Sequence, residues 1–183
     1  MTLRRLLFIF LLLVGIFTTV SAQSERPASI GINIQVYPAG IITNGMFSKA
    51  ISPRQVLTGL GGYNFTDRRD FGEHDNEEGG GPGLGLAIRH FFEPDYSGWQ
   101  IGLRVDLWFM EIDWRDDQRD LDGTTDITVL QPTAQGGYRW QLGNHWTVDA
   151  LVSFGMEINI RTTGEDVGEG AILLGGVEVR YRL

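Results

Sequence analysis

The chain has 183 residues, no cysteine, and 15 basic against 23 acidic side chains, a formal net charge of −8. That length fits one domain, and the absence of cysteine excludes a disulfide-stapled fold. The acidic balance excludes nucleic acid as a partner, because a phosphate backbone is bound through a basic patch.

Arg4 and Arg5 precede an apolar run from Leu6 to Phe17, and Val20-Ser21-Ala22 places small residues at a cleavage position. This is the pattern of a secretory signal peptide over residues 1–22, and it predicts a mature domain over 23–183. Without Arg4 and Arg5 the 15 basic residues become 13 against 23 acidic, a net charge of −10. No apolar run beyond residue 22 reaches the ~20 residues of a membrane helix.

The rest of the chain is read as strands, from a period of two in its side chains. The first runs over 30–37, with Ile30, Ile32, Ile34 and Val36 on one face; Pro38-Ala39-Gly40 turns it back. The second, about 42–49, has no consistently apolar face. The third, over 55–66, carries Leu57, Tyr63 and Phe65 outward. Residues 67–81 are strongly polar and end in Gly79-Gly80-Gly81, which predicts a solvated loop. The fourth strand, over 83–92, puts Leu84, Leu86 and Ile88 outward and Arg89 inward. In the fifth, over 99–114, the apolar series Trp99, Ile101, Leu103, Val105, Leu107 and Phe109 gives way to Trp108, Met110, Ile112 and Trp114. A β-bulge there would explain the slip and turn Glu111 and Asp113 inward. A second acidic loop over 115–124 contains Asp116, Asp117, Asp120 and Asp122. The sixth strand spans about 126–142, with Pro132 predicting a local bulge, and Gly143-Asn144 forms a two-residue turn.

The last forty residues give the clearest pattern. Trp146, Val148, Ala150, Val152, Phe154, Met156, Ile158 and Ile160 share one face of the seventh strand. In the eighth, Ala171, Leu173, Gly175, Val177, Val179, Tyr181 and Leu183 alternate against Ile172, Leu174, Gly176, Glu178, Arg180 and Arg182. Strands of soluble proteins usually run about 5–6 residues, whereas a tilted strand crosses a bilayer in roughly 9–11. Eight such strands predict an all-β fold, an antiparallel transmembrane up-and-down β-barrel with both termini on one side. Turns at 51–54, 93–98 and 143–144 then fall at the inner end, and longer acidic loops at 67–81, 115–124 and 162–169 at the outer end. A soluble barrel with an apolar calyx is disfavoured, because the minority face carries Arg89, Arg104, Asp106, Arg139, Asp149, Glu157, Arg161, Glu178, Arg180 and Arg182, charges that are costly to bury in an apolar cavity.

Several stretches carry a resemblance. Gly62-Tyr63-Asn64-Phe65 runs into Arg69-Asp70-Phe71-Gly72 and then Glu78-Gly79-Gly80-Gly81; Asp106-Leu107-Trp108-Phe109 is followed by Asp113-Trp114; and the strand from Gly175 ends the chain on Leu183. With these the chain resembles the small outer-membrane β-barrel proteins of Gram-negative bacteria, of the OmpA/OmpX type. The resemblance implies a bacterial outer-membrane location, contact with lipid and lipopolysaccharide, and insertion by the barrel-assembly machinery, which reads the final strand. It implies no assigned biochemical activity.

A lumen of eight strands is just wide enough for side chains to fill. The inward charges therefore predict a polar plug in which Arg89, Arg104, Arg161, Arg180 and Arg182 face Asp106, Glu111, Asp149, Glu157 and Glu178, either as structural cross-links or as a gate. The acidic loops lack the spacing of a calcium loop, and no Gly-Lys-Ser/Thr follows the glycines, so no phosphate loop exists. His74, His90 and His145 lack a neighbouring serine in a catalytic arrangement. The sequence thus predicts a non-enzymatic barrel without metal or cofactor, with a membrane-structural or surface-interaction role; the alternative is a small porin-like channel, and a lipid-modifying enzyme comes third.

Overall fold

In a computed structural model, residues 26–69, 72–117 and 119–183 are described; the predicted signal peptide lies outside them. Eight strands follow in chain order: β1 (Ala28–Tyr37), β2 (Gly40–Ser52), β3 (Gln55–Arg69), β4 (Asn76–Phe91), β5 (Gly98–Asp116), β6 (Leu121–Leu142), β7 (Trp146–Thr163) and β8 (Gly170–Arg182). Each pairs antiparallel with the next, and β1 closes on β8 through Ser29–Arg182 to Val36–Gly175. Closure leaves no free sheet edge along the paired length, which lipid requires because nothing there can satisfy an unpaired peptide group.

The alternation is inside-out relative to a soluble barrel. Leu84 is 67% exposed, Leu103 63% and Phe154 62%, whereas Arg89, Arg104, Asp149, Glu178 and Arg180 are buried. An apolar belt surrounds a polar lumen, so this is an eight-stranded transmembrane β-barrel. Aromatic rings cluster at the end carrying both termini: Trp99 on Tyr138 at 5.3 Å, Tyr138 on Trp140 at 4.9 Å and Trp146 on Tyr181 at 5.1 Å. Tyr63 and Phe65, 4.5 Å apart, lie towards the opposite, loop end.

The polarity then inverts along the axis. Past Phe109 the outward residues of β5 are Glu111, Asp113 and Arg115, while Trp108, Met110 and Ile112 are buried inside. They pack with Ile42, Ile127, Val129, Ile172, Leu174 and the loop residue Val167. Gly83 makes room for this layer: a Cβ there would lie 2.1 Å from the Trp108 ring. The strands thus project beyond the belt as a short water-soluble barrel, with apolar residues inside.

This inversion corrects the slip expected in β5. The β5–β6 ladder is continuous from Gly98–Arg139 to Asp116–Leu121, with no bulge, and Glu111 and Asp113 face outward. The pattern changed because the environment changed, not the register. The same crossing accounts for β2, whose inward face passes from Ile42 through Asn44 to Met46 and Ser48. Pro132 produces no bulge either; the register of β6 with β7 is the same on both sides of it, and pairing is recorded at Leu130 and again at Thr133. The register shifts instead in β7, where Thr128–Arg161 is followed by Val129–Asn159 and leaves Ile160 as the extra residue, and at the end of β2, where Ala50–Val56 is followed by Ser52–Gln55.

The solvated loop expected over 67–81 is also corrected. Asp67 to Arg69 belong to β3 and Asn76 to Gly81 to β4, in register from Asp67–Glu78 to Arg69–Asn76. Gly79 and Gly80 adopt φ of 156° and 155°, a region open to glycine, within that ladder. The acidic loop over 115–124 likewise shortens to residues 117–120, and that over 162–169 to 164–169. The turn after β6 takes three residues, Gly143 to His145, with Gly143 at φ 71°.

The inversion predicts opposite outcomes at adjacent positions. Glu111→Leu should leave folding intact, whereas Ile112→Glu should cost about 3–5 kcal/mol by stranding a carboxylate among apolar side chains. Urea titration of the refolded barrel, followed by the heat-dependent shift in gel migration, distinguishes the two.

Candidate functional site

The lumen holds five buried arginines, Arg68, Arg89, Arg104, Arg139 and Arg180, and five buried carboxylates, Glu77, Asp106, Asp149, Glu157 and Glu178. Among the described residues, the buried interior is therefore neutral by formal charge.

Three groups divide these ten residues. Nearest the termini, the Arg89 guanidinium makes a fork to Glu178 at 2.5 and 2.6 Å and reaches Asp149 at 3.5 Å. Arg139 makes a second fork to Asp149, both bonds 2.6 Å. Arg180 completes the set by donating to Glu178 and to the Ser48 hydroxyl. Such bidentate charge-assisted bonds fix geometry as well as charge. Below this group, Phe91 and Tyr96 stack edge to face with Ala50 and Val56 around them, and the Arg139 guanidinium sits 4.5 Å above the Phe91 ring.

One turn of the lumen higher, Arg104 pairs with Asp106 on its own strand at 2.6 Å and donates to Asn33 at 3.1 Å. Asn33 in turn donates to Glu178 at 3.2 Å and accepts from Asn44 at 3.0 Å, so the two groups form one network. Gln131 accepts from the Trp108 indole at 2.6 Å, at the boundary with the apolar layer.

The third group closes the loop end. Arg68 donates to Glu157 at 3.0 Å, to Glu77 at 3.4 Å and to the Gly168 carbonyl at 2.5 Å. Glu77 also accepts the backbone N–H groups of Glu73, His74 and Gly168 at 2.8, 3.2 and 3.1 Å. The His74 ring stacks on Trp114 at 4.2 Å, and Trp114 donates to Thr125, whose hydroxyl bonds the Glu165 carbonyl. Two loops are thereby tied across the mouth.

Of the charges expected inside, Arg89, Arg104, Asp106, Asp149, Glu157, Glu178 and Arg180 are buried. Glu111 is not; it lies on the outward face beyond the belt. Arg161 is exposed because the Ile160 bulge shifts its parity. Arg182 is half-buried at the terminal end, beside Ser29 and Tyr96. Arg68 and Glu77, which the sequence puts in a solvated loop, are buried inside instead. Strand parity carried further would have found them: Arg68 shares the face of Asn64 and Thr66, Glu77 that of Arg89, and the two stand directly opposite.

Outside the barrel, the projecting strands carry an acidic rim. Asp67, Glu78 and Asp113 stand directly opposite one another across β3, β4 and β5, and Glu111 faces Asp126 across β5 and β6. Like charges in such pairs repel, a cost that water lowers. Asp67 is held by Arg69 at 3.2 Å, and Asp113 accepts from Thr124 at 2.6 Å. Of the acidic-loop residues, Asp116 pairs with Arg119 and Asp117 with Arg115. No cluster of metal-ligating side chains occurs among the described residues. His90 lies edge-on to Phe92 and His145 stacks on Tyr181, both near the termini.

No family model and no curated protein matches the chain. Solved structures do match, as folds. The chain is similar to the N-terminal β-barrel domain of Pseudomonas aeruginosa OprF, with TM-score 0.51 and 15% identity over 88% of this chain and 100% of that one. It is similar to Neisserial surface protein A, with TM-score 0.59 and 11% identity over 87% and 98% of the two chains. It is also similar to Ail, the attachment invasion locus protein of Yersinia pestis, with TM-score 0.50 and 10% identity over 87% and 100%. The fold is that of the small eight-stranded outer-membrane barrels.

Glu178 accepts from both Arg89 and Arg180, so Glu178→Gln should cost about 3–5 kcal/mol by leaving buried positive charge uncompensated. Adding Arg180→Met should recover at least about 1 kcal/mol, a coupling that a double-mutant cycle in urea measures.

Proposed function

We propose that this chain is a non-enzymatic barrel of the bacterial outer membrane, closed to ions, with both termini in the periplasm and the acidic rim facing outward. Its work is then membrane-structural or surface-interacting, done by the wall and the rim and not by the lumen. The observation that carries this reading is the matched set of five arginines and five carboxylates, bonded to one another between packed aromatic and apolar layers. An ion would have to displace both packing and paired charge to pass.

The orientation rests on the short turns at one end and the projecting strands at the other. In that orientation the rim meets the anionic glycolipid headgroups of the outer leaflet, and the strand ending at Leu183 is the segment offered to the assembly machinery. No cofactor enters this reading. A porin-like channel is the rival. In planar bilayers the refolded wild-type protein should show no steady single-channel conductance, and Arg68→Ala, which unties the loop-end knot, should remain silent because the Arg89–Glu178–Arg180 layer persists. Discrete openings in the wild type, altered by Arg104→Ala or Glu157→Ala, would establish the channel instead. An unchanged lipid A mass spectrum on deletion of the gene is expected of a barrel that does no lipid chemistry.

A further inference from the structure

The barrel wall is uneven where β8 meets β1. The β1–β8 ladder ends at Val36–Gly175, so residues 170–174 of β8 are paired with β7 alone. On the other flank, β3 continues past its Thr66–Gly40 pair to Arg69, paired there with β4. Between them the chain has turned back at Pro38 and Ala39. The result is a notch of about 310 Å³ in the wall, opening sideways just above the apolar belt. That volume is at the small end of ligand pockets, roughly 300–1,000 Å³. It admits a compact headgroup and is too small for an added peptide strand.

The notch has a charged back and an apolar sill. Arg68 and Glu157 line its depth, Glu169 its mouth, and Pro38, Ala39 and Leu173 its lower and outer margin. Glu157 is 7% exposed; its Oε2 accepts from Arg68, while its Oε1 is buried and has no hydrogen-bond partner among the described residues. A half-paired buried carboxylate is costly. Two carboxylates against one guanidinium also leave the lining one negative charge in excess. Directly outside, Val36 and Leu173 are 52% and 57% exposed.

We propose that this notch binds a primary ammonium group carried on a short apolar chain. The ammonium supplies three N–H donors and one positive charge, meeting the free oxygen of Glu157 and the charge excess together. The apolar chain lies outward over Leu173 and Val36, along the belt. A quaternary ammonium has the charge without the donors, and an alcohol has a donor without the charge, so neither substitutes.

The test uses the full refolded barrel in nonionic micelles, titrated with hexylammonium and followed by backbone amide NMR. Saturable shifts confined to Gly168, Gly170, Ala171 and their neighbours are expected. Hexanol and hexyltrimethylammonium should give none. Glu157→Gln should weaken binding at least fivefold, and Glu165→Gln, in the exposed loop, should leave it unchanged. Ala39→Trp, which narrows the mouth without altering charge, should block binding even if Glu157→Gln fails to fold. Shifts that do not saturate, or that persist equally in Ala39→Trp, would mean micelle partitioning only and overturn the site. Equal response to the quaternary amine would overturn it too. Repeating the measurement in nanodiscs of phosphatidylethanolamine against phosphatidylcholine identifies the source: matching shifts with the former assign the amine to a lipid headgroup, and their absence there assigns it to a free alkylamine.

Discussion

Everything in this structure depends on the pairing of β1 with β8. Hydrocarbon offers no water to an unpaired peptide group, so the chain can cross the bilayer only after its first and last strands meet. Once the ring closes, each strand has two unlike surroundings, lipid outside and a narrow lumen inside, and every second side chain is committed to one or the other. Eight strands leave no room for bulk water. The inward residues must therefore complement one another, and they do so by charge where they are polar and by shape where they are apolar.

The second principle is that the sign of the hydrophobic pattern follows the surroundings of the wall. Within the belt the lipid takes the apolar residues and the lumen the charged ones. Beyond it, water lies outside, and the same strands without any change of register bury Trp108, Met110 and Ile112 and expose Glu111 and Asp113. One continuous sheet thus carries two kinds of core in series, and their junction is marked by Trp108, apolar in its packing yet bonded through its indole to Gln131.

How much of this was legible in the sequence follows from the same idea. β1, most of β7 and the terminal half of β8 lie within one environment, and there the alternation puts Asp149, Glu157, Glu178 and Arg180 on the face that the structure buries. The reading failed where a strand crossed from one environment to the other. In β5 the crossing imitated a bulge, and in β3 and β4 the exposed acidic residues imitated a loop, hiding Arg68 and Glu77. Parity was still present there, but polarity had stopped reporting it. The bulge at Ile160 is hidden for a different reason: it makes Ile160 and Arg161 consecutive outward residues and leaves the apolar series unbroken up to Arg161.

The ten buried charges cancel in sum but not in place. The group nearest the termini joins Arg89, Arg139 and Arg180 to only Asp149 and Glu178, while the group at the loops joins Arg68 to Glu77 and Glu157, with the balanced Arg104–Asp106 pair between them. The axis of the barrel consequently carries a fixed dipole, positive towards the termini and negative towards the loops. Were thermal motion to loosen the side-chain packing, a cation would be repelled by one layer and an anion by the other. The two layers would then stand as electrostatic barriers of opposite sign in series, so the closure proposed above would not depend on tight packing alone.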